Sequence, residues 1–332
     1  MRQRALALQV LQTVMKYQRR SDAEGRCSAL HCETCRDVHL DRVEGFIAEG
    51  KPIEFVLPAF PGKSPNLTKV LGDMPDMAES LSLSFLHSLC QQVQTIYSPG
   101  TRVIICSDGR VFADLVRIPD TAITSYQDEF QLMMKQLGAD SLSYYGLDDE
   151  YPGMSFDEMR RKLVEAYGEP IEALREEVLA GGEPLSLYRG ITRFLLEDAT
   201  GVTNTLSRTA LQKECRARAY GVIQRSKAWG ELIAKKYPRS VRLSIHPQPC
   251  GSPKLGIHLM ETADNWLTPW HGSAVKVDGR FVLMKRRQAE ELGAQLVYTN
   301  GRPSHYVLSG SLPESYSFPH GPHLSAAGAS DS

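Results

Sequence analysis

The chain contains no apolar run near the ~18 residues a membrane span needs, so a transmembrane role is not expected. It also lacks charge of one sign. Thirty-eight Lys and Arg stand against 39 Asp and Glu, and a net charge of -1 removes the long-range attraction to nucleic acid or anionic lipid that a basic protein exerts. Missing too are a G-x-G-x-x-G after a strand, a G-x-x-x-x-G-K-[ST], an H-E-x-x-H and a G-x-S-x-G. Nicotinamide dehydrogenase, P-loop NTPase, zincin and serine hydrolase therefore lose their usual support. The start of the chain has basic residues, but Gln9, Gln12 and Lys16 interrupt its apolar positions and no small-residue cleavage site follows. It reads as a surface helix, with Leu6, Val10, Val14 and Tyr17 on one stripe, and not as a secretory signal.

At 332 residues the chain has room for one large domain or two that share an interface. Its seven cysteines are an odd number in a chain with ample core, which points to a reducing, cytoplasmic setting. Three of them cluster. Cys27, Cys32 and Cys35, near His31 and His39, spell C-x4-C-x2-C-x3-H, a ligand set that zinc accepts. No second C-x2-C pair follows, so free or packed thiols are the expected reading and metal is expected to be absent. His39 and Asp41 also spell H-x-D, the start of an iron facial triad, but no β-rich jelly-roll pattern surrounds them.

The first buried strand is expected at Ile53 to Leu57, followed by a Pro/Gly-punctuated loop to Asn66. Ala78 to Ile96 has a helical stripe of Leu81, Phe85, Leu89, Val93 and Ile96, stopped by Ser98-Pro99-Gly100. Val103 to Cys106 is the next strand, and Val111 to Ile118 is read as another. This strand, helix, strand rhythm predicts an α/β, Rossmann-like fold: a mostly parallel sheet with helices on both faces. Residues from about 127 to 235 read as a helical insertion, and the last third as β-rich. Strands are expected at Val241 to Ile245, Gly256 to Met260 and Leu296 to Tyr298, with a short helix at Gln288 to Gly293. A C-terminal β-hairpin turns at Asp278-Gly279, the pair a type I′ turn favours. The organisation expected is an N-terminal helical, Cys-containing segment over 1–50, one α/β catalytic domain over 51–312, and a disordered tail over 313–332.

Charge is segregated within the helical part. Asp148 to Glu183 holds 11 acidic and 4 basic residues, whereas Lys213 to Arg242 holds 9 basic and 2 acidic. The acidic block reads as solvated helix surface. In the basic block Arg216, Arg218, Arg225 and Lys227 alternate with apolar residues, so some of these cations need either a structural carboxylate or an anionic ligand.

Polar residues also stand in loops beside apolar strands: Lys63, Ser64, Asn66 and Lys69; Asp108, Arg110 and Asp114; Arg189 and Arg193; His246 and Gln248; His271; Arg302, Ser304 and His305. Each alone has an ordinary structural reading. Together they offer many cations and imidazoles and few carboxylates, which suits an anionic, oxygen-rich substrate such as a sugar phosphate or an α-carboxylate.

Several strings carry more than this inventory does. LPAFPGKSPNLTKVLGDMPDMAE (57–79), CSDGRVFADL (106–115), LYRGITRFLLED (187–198), RARAYGVIQRSKAW (216–229), VRLSIHPQ (241–248), KLGIHLM (254–260), TPWHG (268–272) and GRPSHY (301–306) run in order through the chain. They resemble the pyoverdine/dityrosine biosynthesis family, whose bacterial members are isonitrile (isocyanide) synthases. The length resembles that of the stand-alone bacterial enzymes that act on tyrosine or tryptophan, without room for the extra domains of fungal fusions.

The resemblance implies that the α-amine of an amino acid, tyrosine before tryptophan, condenses with the C2 carbonyl of ribulose 5-phosphate. That carbon then stays on nitrogen as the isonitrile, in secondary-metabolite biosynthesis that leaves room for a downstream tailoring enzyme. No metal or redox cofactor is implied. Within this frame Lys63, Asp108 and His246 are the candidate catalytic residues, with Lys63 expected to have the lowered pKa of a nucleophilic amine. Ser64, Asn66, Arg110, Arg189, Arg193, Gln248, His271, Arg302 and His305 are the candidate substrate-binding residues. Two rival readings stay open, a metal-dependent enzyme built on Cys27, Cys32, Cys35 and His39, and a sugar-phosphate binding protein without catalysis.

Overall fold

The computed structural model describes residues 2–21, 27, 32–200, 206–313 and 316. The chain opens with two helices, α1 (Arg2–Met15) and α2 (Glu33–Ala48). Ala7, Val10, Leu11 and Val14 recur at i, i+3, i+4 and i+7, so α1 buries one stripe against α2 and α3 and leaves the other to solvent. Then follow β1 (Ile53–Pro58), α3 (Met77–Ile96), β2 (Thr101–Cys106), α4 (Gly109–Phe112), α5 (Asp120–Gln136), β3 (Leu142–Tyr145) and α6 (Leu147–Glu150). Helices α7 (Phe156–Tyr167), α8 (Ile171–Ala180), α9 (Gly182–Thr200) and α10 (Arg208–Lys236) lead into β4 (Val241–Ser244) and β5 (Leu255–Gly256). The rest is β6 (Glu261–Thr262), a 3-10 turn at Pro269–His271, β7 (Ser273–Val277), β8 (Arg280–Met284), α11 (Arg286–Glu291), β9 (Gln295–Thr299) and β10 (Arg302–Val307).

Strands β3-β2-β1-β4-β5 form one sheet in that order, and every pairing in it is parallel. Parallel strands are covered on both faces and so read as continuous apolar runs. Ile53, Phe55 and Leu57 of β1 face a core shared with α1, α2, α3 and α5, whereas Val56 faces Met159 and Leu163 of α7 and Trp229 and Leu232 of α10. Helices therefore lie on both faces, as the sequence predicts.

The C-terminal part is larger than the single hairpin expected. A second five-stranded sheet, β6-β8-β7-β10-β9, mixes parallel and antiparallel pairings. Asp278 (φ 48) and Gly279 (φ 76) make the expected β7–β8 turn, and Asn300 (φ 51) and Gly301 (φ 75) repeat the device between β9 and β10. Residues 302–307, taken from sequence as a polar loop, are thus the last strand. This sheet packs Phe281 and Leu283 onto Ala78 and Leu81, at the start of α3.

Three other expectations are corrected. The helical stretch contains β3, an edge strand of the first sheet. It starts where Gly138 (φ 60) ends the turn after α5, and four residues are too few to show a period of two. Val111 to Ile118 is not a strand but the short helix α4 and a turn, with Arg117 at φ 64. Beyond Gly256, the stretch to Met260 is paired not as a strand but with the N-terminal segment: Ile257 bridges Gln18, and the Gly256 carbonyl accepts from the Arg19 amide at 2.8 Å. The basic helix is resolved in favour of structural carboxylates. Arg218 pairs with Glu214, Arg225 with Asp114, and Lys227 with Glu169 and Glu177 from the acidic block, while Arg216 stays exposed. The expected disordered tail lies, apart from Pro313 and Tyr316, outside the described residues.

Gly109 marks the tightest approach between the loops that follow β1 and β2. A Cβ there would lie 1.8 Å from the carbonyl oxygen of Pro61. Gly109→Ala is accordingly expected to destabilise the protein by roughly 3 kcal/mol or more, since a backbone oxygen must move. Gly190→Ala on α9, with nothing within 4 Å, should instead be neutral or gain up to about 1 kcal/mol of helix propensity. Urea unfolding midpoints of the two variants check the contrast, and equal midpoints would refute the steric account.

Candidate active site

In a sheet ordered 3-2-1-4-5, the chain turns outward in opposite directions after β1 and β4, and the crevice outside their carboxyl ends is where ligands of such folds bind. The loop after β1 brings Lys63 and Ser64 there, the loop after β2 brings Asp108, and the loop after β4 brings His246. The 3-10 turn at Pro269–His271 closes against them, the Ser64 amide donating to the Trp270 carbonyl at 2.9 Å.

Lys63 is wholly buried. Its ammonium lies 2.7 Å from Glu79 Oε2 and 2.9 Å from Asp76 Oδ2 and donates to the Pro269 carbonyl at 3.2 Å. Asp76 and Glu79 are the reciprocal capping box of α3, so the residues that start this helix are also the counter-charges of Lys63. Burial works against the Lys63 charge, but the two carboxylates outweigh it and its pKa rises above the usual lysine value. The lowered pKa expected of a nucleophilic amine is thus reversed. Burial pushes Glu79 up to about 8, against the opposing pull of the Lys63 ammonium. Tyr126 donates its hydroxyl to Glu79 Oε1 at 3.3 Å.

A second buried cation, Lys69, stands six residues further along the same loop. Lys69 donates to Asp198 Oδ1 at 2.5 Å and lies 3.1 Å from Glu197, both near the end of α9. Asp198 Oδ2 has no hydrogen-bond partner among the described residues and faces His271 Nε2 at 4.0 Å. Burial raises the Asp198 pKa. His271 is oriented by Thr268 Oγ1, 2.8 Å from Nδ1, and by the edge of the Phe194 ring. Desolvation, with the cations of Lys69 and Lys63 near it, pushes its pKa well below the histidine value, so the imidazole is neutral at pH 7.

Asp108 ends the third part of the site. Burial raises its pKa to about 7 despite the nearby Arg242 guanidinium, and its Oδ1 has no partner among the described residues. His246 is exposed to solvent, yet desolvation, with Arg19 and Lys254 nearby, brings its pKa down to about 4; a side chain lining a cleft combines these properties. Burial, with Arg242 nearby, likewise lowers the pKa of Lys254. Asp108, Arg242, Lys254, His246 and His271 thus influence one another in turn, and Lys63 and Lys69 both act on His271. Neutral bases, protonated acids and cations meet in this group, a set able to hold an anionic substrate and move protons on it. The recess of about 350 Å³ between α7 and α10 is a poorer candidate, because its Arg160, Arg161 and Arg225 are already paired with carboxylates.

Residues 43–297 match the family described as pyoverdine/dityrosine biosynthesis protein. The chain belongs to this family. It is 53% identical to an L-tyrosine isonitrile synthase of Pseudomonas aeruginosa, over 91% of this chain and 94% of that protein. It is 46% identical to the L-tryptophan isonitrile synthase AmbI2 of Fischerella ambigua, over 92% of each chain. The crystal structure of the PvcA protein from Pseudomonas aeruginosa superposes with a TM-score of 0.85 at 51% identity, covering 91% of this chain and 99% of that one. These relatives make the chain an enzyme of the isonitrile synthase class.

The structure distributes the candidate residues unevenly. Lys63, Ser64, Asp108 and His246 stand on the loops that follow β1, β2 and β4, with His271 on the 3-10 turn against them. Arg110 is fully engaged elsewhere: its buried guanidinium is bound to Asp120, Asp148, Thr124 and Gln127 and lies 3.7 Å from the Phe156 ring centroid. Asn66 holds the end of α9 through the Glu197 carbonyl at 2.9 Å, and Gln248 braces its own loop through Ser244 and Ser252. Arg302 lies on the far sheet, exposed and paired with Glu129, and His305 packs there on Phe281. Arg189 and Arg193 form an exposed stripe on α9 with no ion-pair partner among the described residues. Asp76, Glu79, Tyr126, Asp198, Arg242 and Lys254 were not singled out from sequence, although five of them stand in the family strings or beside them. The D-x-x-E cap was the one local signal, and it says nothing of burial.

Proposed function

We propose that this isonitrile synthase takes L-tyrosine, with L-tryptophan next, and draws the isonitrile carbon from C2 of ribulose 5-phosphate. The observation that carries this reading is the set of titrating groups at the ends of the parallel strands. Two imidazoles held neutral at pH 7 and a carboxyl whose pKa burial raises to about 7 are grouped with cations, and Arg242 Nε has no hydrogen-bond partner among the described residues. A sugar phosphate dianion is matched by the cations of Arg242 and Lys254. The amine of the amino acid meets the C2 carbonyl between Asp108 and His271. Its N–C bond forms as the carbonyl oxygen takes a proton, and water leaves with a proton from Asp108. His271 and His246, being neutral, then accept the protons that carbon-carbon cleavage releases from sugar hydroxyls. Lys63 acts from below, as the buried charge that fixes the loop. Tyrosine is favoured by the higher identity to the tyrosine synthase, and the exposed indole of Trp266, 6.1 Å from the His246 ring, offers an aromatic wall.

Incubation with ribulose 5-phosphate labelled with carbon-13 at C2 and each amino acid in turn, followed by mass analysis, tests this. One labelled isonitrile, formed from tyrosine, is expected. Tight binding of the sugar phosphate with no product from any amino acid would leave a binding protein instead, and a preference for tryptophan would reverse the substrate assignment.

A further inference from the structure

Four cysteines meet at a point that the active site does not use. Cys27 comes from the N-terminal segment, Cys32 is the N-cap of α2, Cys35 sits in its first turn, and Cys250 lies in the loop after β4. Their sulfurs are 3.5 Å apart for Cys27 and Cys35, 3.5 Å for Cys32 and Cys250, and 3.7 Å for Cys35 and Cys250, and all four lie within 4.8 Å of one another.

Zinc bonded to four thiolates at about 2.3 Å sets the sulfurs at tetrahedron corners, with edges of about 3.8 Å. The three shortest separations fall within a few tenths of an ångström of that edge, and none exceeds 4.8 Å. They are far from the ~2.05 Å of a disulfide. The fourth ligand is the part the sequence could not supply, since Cys250 stands 215 residues from Cys35. His39, the expected fourth ligand, is buried further along α2 and outside the group of sulfurs, and His31 lies outside the described residues. The Gly251 amide points at Cys35 Sγ from 3.5 Å, the outer-shell hydrogen bond that steadies a metal thiolate.

We propose that Cys27, Cys32, Cys35 and Cys250 bind one zinc ion. Four protein sulfurs complete its coordination, so the site is structural and no step of the reaction passes through it. Binding sends the thiol protons to solvent and leaves four zinc–sulfur bonds, with no change of oxidation state. The ion clamps the start of α2 and the N-terminal segment to the loop that carries His246, four residues before Cys250. The same segment is already stitched there by Arg19, whose guanidinium donates to the Ile245 carbonyl at 2.6 Å and the Leu267 carbonyl at 2.9 Å.

Elemental analysis of the full chain, purified under reducing conditions without chelator, should find one zinc per chain. Cys250→Ser should lose at least nine-tenths of it, and Cys90→Ser, a buried thiol elsewhere, should keep it. Should the Cys250 variant fail to fold, the wild-type protein decides alone. After chelation it should melt roughly 10 °C lower, and cobalt(II) should then restore the melt and produce the visible bands of a tetrahedral tetrathiolate site. Less than a tenth of an ion per chain with no cobalt bands would overturn the proposal. So would a mass four hydrogens low, which means two disulfides, and stoichiometric iron would overturn the choice of zinc.

Discussion

Asp108→Asn is expected to lower the turnover of amino acid to isonitrile by two to four powers of ten, the usual contribution of a positioned proton donor. It should do so without loss of stability. The substitution keeps the shape of the side chain and removes its proton, and Asp108 Oδ1 has no protein partner to lose among the described residues. The stability effect has a definite sign. Burial raises the Asp108 pKa from 3.8 to about 7, so the folded state holds a proton that the unfolded chain releases. That contribution is fully present below the unfolded value and is lost as pH rises through about 7. At pH 8 the wild-type carboxylate is charged where charge is disfavoured, and the asparagine variant should melt at the same temperature or higher. Wild-type kcat should fall as pH rises through the same window, and the residual activity of the variant should be flat there. A variant with wild-type turnover, or one that loses activity only because it unfolds, would remove Asp108 as the acid.

Lys63→Met should act in the opposite way, on the fold as well as on the reaction. Taking the ammonium from between Asp76 and Glu79 leaves two buried carboxyls without their counter-charge, and breaking such a group by removing one partner costs about 3–5 kcal/mol. The thermal midpoint should drop by roughly 5–10 °C. Because Glu79 is already the member that prefers its proton, Lys63→Met combined with Glu79→Gln should recover part of that loss. Isonitrile formation should stay low in both, since the loop carrying Ser64 is no longer pinned to α3. Melting curves and product yields for the two variants check this, and a single variant as stable as wild type would show that the cluster does not hold the loop.

The Lys63 cluster shows how far a sequence can be read. The strand before it and the helix after it are written in short-range terms: a run of β-prone residues at 53–58, and a stripe of period 3.6 at 77–96 with its cap. The I′ turn at Asp278-Gly279 is equally local. Lys63 could be named as important because it stands in a loop at a strand end and in a string that resembles the family. Its state could not. Whether a lysine pKa rises or falls depends on what else is buried beside it, and Glu79 enters the site because α3 packs its first turn beneath the loop. The partners of Arg110 are hidden for the same reason, since the carboxylates of Asp120 and Asp148 reach it only in the folded chain.

Sequence by itself determined the class of the protein: the α/β rhythm, the balance of charge, and the ordered strings that place it in the pyoverdine/dityrosine family. Those properties depend on neighbours a few residues apart, or on comparison along the chain. Tertiary structure alone decided that 302–307 completes a second sheet, that the acidic and basic blocks answer each other across α8 and α10, and that burial shifts the pKa values of Asp108 and His271. It also replaced the set of three cysteines and His39 with four converging sulfurs, because proximity between Cys35 and Cys250 is a property of the folded chain and of no window along the sequence.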